Sequence, residues 1–143
     1  MQSLHNDSTI IALDVGERRI GVAIASIQAQ IASPLATLLH TETIYQDIHD
    51  VLDKHTACAL IVGLPRGLDG QHTRQTIAIE EFKAGLEQTL GIPVYWQDEA
   101  LTSRQAEDEL KSRGKPYAKE DIDALSATYI LDDFMRDHPE VFL

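Results

Sequence analysis

Cysteine is nearly absent from this chain. Cys58 stands alone among 143 residues, so no disulfide can form within it, and beside the apolar run Ala59-Leu60-Ile61-Val62 a small buried thiol is the expected reading. No run approaches the roughly 18 apolar residues that a membrane helix needs. The first residues, Met1 to Asp7, combine neither a basic start nor an apolar core. A cytoplasmic protein with no membrane partner is expected. Basic residues are also few: 12 Lys and Arg stand against 23 Asp and Glu, a net charge of −11. That balance argues against a large basic surface that grips nucleic acid nonspecifically. Arg66, Arg74, Arg104, Lys111, Arg113, Lys115 and Lys119 nevertheless fall near loops and helix ends, where a local basic rim can coexist with an acidic back. The six histidines, at 5, 40, 49, 55, 72 and 138, show no His-x-x-x-His or Cys/His spacing, and a zinc site is rejected. Internal repeats, low-complexity tracts and domain boundaries are missing too. What remains is one domain's length with 43% hydrophobic residues, enough for a core without disulfides or structural metals.

Along the chain, Thr9 to Val15 and Ile20 to Ala25 are apolar runs separated by Gly16-Glu17-Arg18-Arg19, which predicts two strands joined by a tight turn. A third strand is expected within Gln30 to Leu38, near an edge because of Pro34. Ile44, Ile48, Val51 and Leu52 recur at helical spacing, so Thr43 to His55 reads as an amphipathic helix. Ala59 to Leu64 reads as a buried strand. A helix from Thr73 then carries Ile79, Phe82 and Leu86 on one face and ends before Gly91. Pro93 to Gln97 is a further strand. Thr102 and Gln105 form a Thr-x-x-Gln capping box for a helix ending near Gly114, and a last helix runs from about Lys119 to Asp137. The order β-β-β-α-β-α-β-α-α predicts an α/β fold: a mixed five-stranded sheet, three strands antiparallel and the later ones parallel, flanked by helices. Residues 1–8 and 138–143 are expected to be loose tails on this single domain.

Three carboxylates stand where acids are unusual. Asp14 closes an apolar strand ahead of Val15-Gly16, at the core margin; a turn-forming Asp before Gly is the plainer account of it. Glu99 lies at the carboxyl end of a strand from the parallel half, where ligands of open α/β sheets collect; it also precedes a helix whose dipole favours negative charge. Asp123 shares a helix face with Ala127, Ile130 and Phe134, a face that should pack on the sheet, and a carboxylate there is costly unless a cation meets it. Asp121 and Glu120 are its alternatives. Unit charges of like sign at about 4 Å repel by roughly 4 kcal/mol at an effective dielectric of 20, so a fold converging three carboxylates needs a counter-ion. Hard oxygen ligands select Mg²⁺ or Mn²⁺, and such ions support phosphodiester hydrolysis.

The blocks Leu13-Asp14-Val15-Gly16-Glu17-Arg18-Arg19-Ile20-Gly21-Val22-Ala23, Val62-Gly63-Leu64-Pro65 through Leu68-Asp69-Gly70, Asp98-Glu99-Ala100-Leu101-Thr102-Ser103 and Ile122-Asp123-Ala124-Leu125-Ser126-Ala127 resemble the YqgF family. Its members go by the names Holliday-junction resolvase and pre-16S rRNA nuclease. The likeness runs from about Ile10 to Phe134 in order and spacing. It implies a ribonuclease H-like fold, Asp14, Glu99 and Asp123 as catalytic acids and metal ligands, and Mg²⁺ or Mn²⁺ as cofactor. It implies a nucleic-acid partner, an RNA precursor or else branched DNA, and ribosomal particles as a further one. Arg66, Thr73 and Arg74 would meet phosphate at a helix N-terminus. Arg18, Arg19, Thr102 and Arg104 complete the expected substrate-binding set. The family pattern Asp-Glu-Arg is here Asp98-Glu99-Ala100, with Arg104 one helical turn onward as a substitute. The alternative function is therefore a catalytically weakened nucleic-acid or ribosome-associated binding protein. An actin-like or sugar-kinase ATPase would need two such domains, and this chain has length for one. A monomer is expected, or a weak homodimer through the Leu39-His40 edge or the Val141-Phe142-Leu143 tail.

Overall fold

The computed structural model of the chain describes residues 8–65, 74–99 and 102–142, with residues 65, 99, 102, 103, 141 and 142 placed by backbone alone. Five strands, β1 (Thr9–Val15), β2 (Arg19–Ser26), β3 (Ala32–Leu39), β4 (Ala57–Pro65) and β5 (Val94–Glu99), alternate in the second half of the chain with helices. The helices are α1 (Ile44–Lys54), α2 (Arg74–Thr89), α3 (Thr102–Ser112) and α4 (Lys119–Asp137). The sheet order is β3-β2-β1-β4-β5. β1, β2 and β3 pair antiparallel, while β1 with β4 and β4 with β5 pair parallel, as the order of elements predicts.

β3 is the edge strand that Pro34 requires, since a proline has no N–H for an interior ladder. Pro34 stands opposite Ala23, where the register shifts by a bulge. β5 runs two residues past its expected end because pairing with β4 continues to Pro65 opposite Glu99. The β1–β2 turn is closed by the Gly16 N–H donating to the Arg19 carbonyl at 3.0 Å. A Cβ on Gly16 would come within 2.7 Å of that same oxygen, so only glycine closes the turn without displacing it.

Alternation along the strands builds two cores. Ile11, Leu13, Val15, Ile20, Val22, Leu60 and Val62 face Ile44, Ile48 and Leu52 of α1 and Ile79, Phe82 and Leu86 of α2. The opposite face is built from smaller residues, Ala12, Ala23, Ala25 and Ala59 with Ile10 and Ile61, and receives Ala127, Ile130, Leu131 and Phe134 of α4. Small residues let a helix approach a sheet closely, and α4 uses that closeness to cross the whole face. Its first turn is tied to the edge strand by the Thr37 hydroxyl donating to the Glu120 carbonyl at 2.7 Å. Near its end, Phe134 stacks on Tyr95 of β5 and the buried Gln97 amide donates to Asp137 at 3.0 Å. α3 packs on the outer side of α4 through Ala106, Leu110 and Leu125. The Tyr129 hydroxyl donates to Glu109 across this contact; burial, with that bond, pushes the phenol up to about 12.

Of the expected loose tails, residues 1–7 and 143 lie outside the described residues. Ser8 is buried, and its carbonyl accepts from the Ile27 N–H at 3.1 Å, extending the β1–β2 pairing. At the other end the His138 N–H donates to the Phe134 carbonyl at 2.9 Å, its ring packs on Phe134, and Pro139–Phe142 forms a short 3-10 turn. Cys58 is partly buried, its thiol donating to the Thr9 carbonyl at 3.3 Å. Among the described residues no helix is long and apolar enough to cross a membrane.

Ser126 is an exception within α4. It is fully buried, yet its hydroxyl finds no hydrogen-bond partner among the described residues, whereas Thr128 bonds back to the Ala124 carbonyl at 2.9 Å. A buried unsatisfied hydroxyl costs about 1–3 kcal/mol, and alanine is also the better helix former. Ser126→Ala is therefore expected to stabilise the protein by about 1 kcal/mol, raising the melting temperature by about 3 °C. A fall in melting temperature would mean that the hydroxyl is satisfied after all.

Candidate active site

Asp14 and Asp123, far apart in the chain, flank one residue that has no side chain. Asp14 stands directly opposite Gly21 in the β1–β2 register, and residues opposite each other in an antiparallel pair share a face. That face is the one α4 covers, because Ala12 and Ala23, one alternation further along the same two strands, pack beneath the helix. A Cβ built on Gly21 would fall inside the Asp123 carbonyl and overlap the backbone up to Ala124. The absence of a side chain at position 21 is thus what seats the first turns of α4 at the carboxyl end of β1.

The cation that a carboxylate at Asp123 needs is Arg19. Its Nε lies 2.5 Å from Asp123 Oδ2, and the two side chains are 28% and 22% exposed, which leaves the pair less screened than a surface salt bridge. Arg19 starts β2 two residues before Gly21, on the same face, and is the diagonal neighbour of Asp14 across the hairpin. The bond to Asp123, with its charge, raises the guanidinium pKa further above its already high value. Of the alternatives to Asp123, Asp121 Oδ2 accepts the Ala118 N–H at 2.8 Å, closing the first turn of α4, and Glu120 is exposed.

Glu99 ends β5 in register with Pro65 of β4, two residues beyond the buried Gln97. It therefore lies at the same end of the sheet as Asp14, with β4 between them. Its side chain and that of Thr102, like Arg66, Thr73 and Ala100 altogether, fall outside what the structure describes. Among the described residues no three His, Cys, Asp or Glu side chains gather as a metal-holding group. Of the expected substrate contacts, Arg18 is exposed on the β1–β2 turn, Arg74 is exposed at the start of α2, and Arg104 is exposed on α3. Arg19 is turned inward on Asp123.

Two residues that the sequence reading left aside support the site. Gly21 had a readable signal, its position opposite Asp14 in the hairpin. His40 had none: it follows β3, and its Nδ1 lies 2.7 Å from the Gly16 carbonyl. A carbonyl can only accept, so Nδ1 carries the proton and braces the turn that follows Asp14. Behind this turn, on the face away from Asp14, a cavity of about 740 Å³ is lined by Gly16, Glu17, His40, Tyr45, Arg74 and Phe82, among others.

The mixed sheet, with β3-β2-β1 antiparallel and β1-β4-β5 parallel and helices on both faces, is a ribonuclease H-like fold. The fold is shared with RuvC from Thermus thermophilus in complex with a Holliday junction substrate, at TM-score 0.56 and 16% identity over 90% of this chain and 96% of that one. It is shared as well with Ydc2, the yeast mitochondrial Holliday junction resolvase, at TM-score 0.57 and 11% identity over 96% of this chain and 82% of that one. A family model described as "RuvX: Holliday junction resolvase" matches residues 8–137. A relative from Chloroflexus aggregans named "Putative pre-16S rRNA nuclease" is 42% identical over 134 residues, 91% of this chain and 94% of its own length. The chain belongs to the RuvX, or YqgF, family.

Proposed function

We propose that this protein is a metal-dependent nuclease of the cytoplasm that hydrolyses phosphodiester bonds, with a ribosomal RNA precursor as its substrate and branched DNA as the second choice. The observation that carries the reading is the seating of Asp14 and Asp123 on either side of Gly21, at the end of the sheet where Glu99 also terminates its strand. Family membership supports the reaction class, and the name of the Chloroflexus relative supports the RNA.

The donor set fits Mg²⁺ or Mn²⁺. Carboxylate oxygens are hard ligands, and the neighbourhood of Asp123 already draws a positive charge, that of Arg19. Asp14, Asp123 and Glu99 would hold the ion. Bound there, a divalent cation supplies Lewis-acid polarisation of a phosphate oxygen and lowers the pKa of water. The chain's own work is positional. β1 and α4 hold two acids on one face of a rigid sheet, the Gly16 turn and His40 fix where β1 ends, and Arg18, Arg74 and Arg104 offer positive charge to the flanking phosphates. In the reaction, a water oxygen bonds to phosphorus, the bond from phosphorus to the 3′ oxygen breaks, and that oxygen takes a proton. The products carry a 5′-phosphate and a 3′-hydroxyl.

The test is cleavage of an end-labelled RNA spanning the 5′ boundary of 16S rRNA, beside a four-way DNA junction, in Mg²⁺ or Mn²⁺ and again in excess chelator. Cutting of the RNA that chelator abolishes and added metal restores is expected. Cutting that survives chelation would overturn the metal requirement. Retention of RNA with no cutting in either metal would favour the binding-protein reading, to which Ala100 in place of the family arginine points.

A further inference from the structure

Arg19 stands where it cannot serve Asp123 and a divalent cation equally. Its Nε is 2.5 Å from Asp123 Oδ2, and its position in the hairpin makes it the diagonal neighbour of Asp14. A guanidinium at that distance is repelled by a second cation on the same carboxylate twice as strongly as by a unit charge. Arg19 nevertheless has somewhere to go. It is the first residue of β2, its side chain keeps 28% of its surface in solvent, and the exposed turn Glu17-Arg18 lies immediately before it. Its backbone is held independently of its side chain, by the Gly16 N–H and by pairing with Leu39 of β3. The arm can therefore swing without disturbing the turn.

We infer that Arg19 is a resident counter-charge that competes with the divalent cation for Asp123, closing on the carboxylate in the cation-free chain and turning out toward a backbone phosphate of the nucleic acid when the cation is held. This rests on the reading of Asp14 and Asp123 as cation ligands. It makes Arg19 a positioning residue with two stations. In the cation-free chain it neutralises the Asp123 carboxylate. With cation and substrate both present, it meets the extra negative charge that the nucleic acid brings. Removing the guanidinium should then strengthen cation binding and weaken nucleic-acid binding. A plain structural clamp between β2 and α4 would give the opposite sign for the cation, or no change.

The experiment is calorimetric titration of the purified protein with MnCl₂, for wild type, Arg19→Gln, Arg19→Lys, Asp14→Asn and Asp123→Asn, with circular dichroism to establish that each is folded. Arg19→Gln is expected to bind Mn²⁺ about tenfold more tightly than wild type, a difference of about 1.4 kcal/mol. Arg19→Lys, which keeps the charge, should stay within about threefold of wild type. In thermal melts the cation-free Arg19→Gln protein should unfold below wild type and gain more from added Mn²⁺, because a tighter-binding ligand stabilises more. Unchanged or weaker Mn²⁺ binding in a folded Arg19→Gln protein would overturn the competition alone, provided Asp14→Asn and Asp123→Asn lose binding. Equal Mn²⁺ uptake by wild type, Asp14→Asn and Asp123→Asn, or none by any of them, would overturn the cation site and the competition together.

Discussion

Gly21→Ala is expected to destabilise the protein by about 3 kcal/mol, the upper end of what overpacking usually costs, and to lower its melting temperature by about 10 °C. The added methyl would overlap the Asp123 carbonyl and the Ala124 nitrogen. These are backbone atoms within a helix and have no rotamer by which to escape. β2 lies between β1 and β3 in the sheet and cannot retreat, so α4 must lift at its start. Lifting would open the contact of Ala127 and Ile130 with the alanine face of the sheet and draw Asp123 away from Arg19. With domain stabilities of about 5–15 kcal/mol, that is a large fraction of the total. Gly91→Ala is the matched control: nothing lies within 4 Å of a Cβ there, and the change should stay within about 0.5 kcal/mol. Urea and thermal unfolding of both variants decide the matter. A Gly21→Ala protein melting within about 2 °C of wild type would show that α4 is not seated on the glycine.

Much of this arrangement was legible in the residues because local signals and the overall fold agree. Ile44, Ile48 and Leu52 recur at helical spacing and are the buried side of α1. Asp123 is found on the face of Ala127, Ile130 and Phe134, all three of them buried against the sheet. Pro34 marked the edge strand, since a missing N–H is tolerated there and nowhere deeper. What the sequence reading left aside is what only folding can bring together. Arg19 could be assigned to substrate as readily as to Asp123, because their separation in the chain hides a 2.5 Å contact. Residues 1–8 and 138–143 are expected to be loose, and of these Ser8 and residues 138–142 are described. Ser8 is nonetheless held by a backbone bond to Ile27, and His138 by a backbone bond to Phe134 and ring packing on it. None of these contacts leaves a trace in composition. His40 likewise serves through its ring and backbone bonds to the β1–β2 turn, and no spacing rule announces such a brace.

Asp14→Asn is expected to lower nuclease activity about 1000-fold, equivalent to about 4 kcal/mol of lost transition-state stabilisation, with little loss of stability. The amide keeps the volume and shape of the carboxylate, so packing at the end of β1 is retained. Only the charge goes. Removing the Asp14 charge takes away a hard anionic ligand at the end of β1. Stability and activity are therefore expected to separate in this variant. Asp123→Asn should behave differently: it also cuts activity, but it leaves the Arg19 guanidinium without its carboxylate and should lower the melting temperature. The two variants together distinguish a site acid from a structural one. Loss of activity in both, with loss of stability in Asp123→Asn alone, is the pattern that belongs to a catalytic pair one member of which is held by an arginine. An Asp14→Asn protein cutting RNA within about tenfold of wild type would remove Asp14 from the chemistry and trace the cleavage to another enzyme in the preparation.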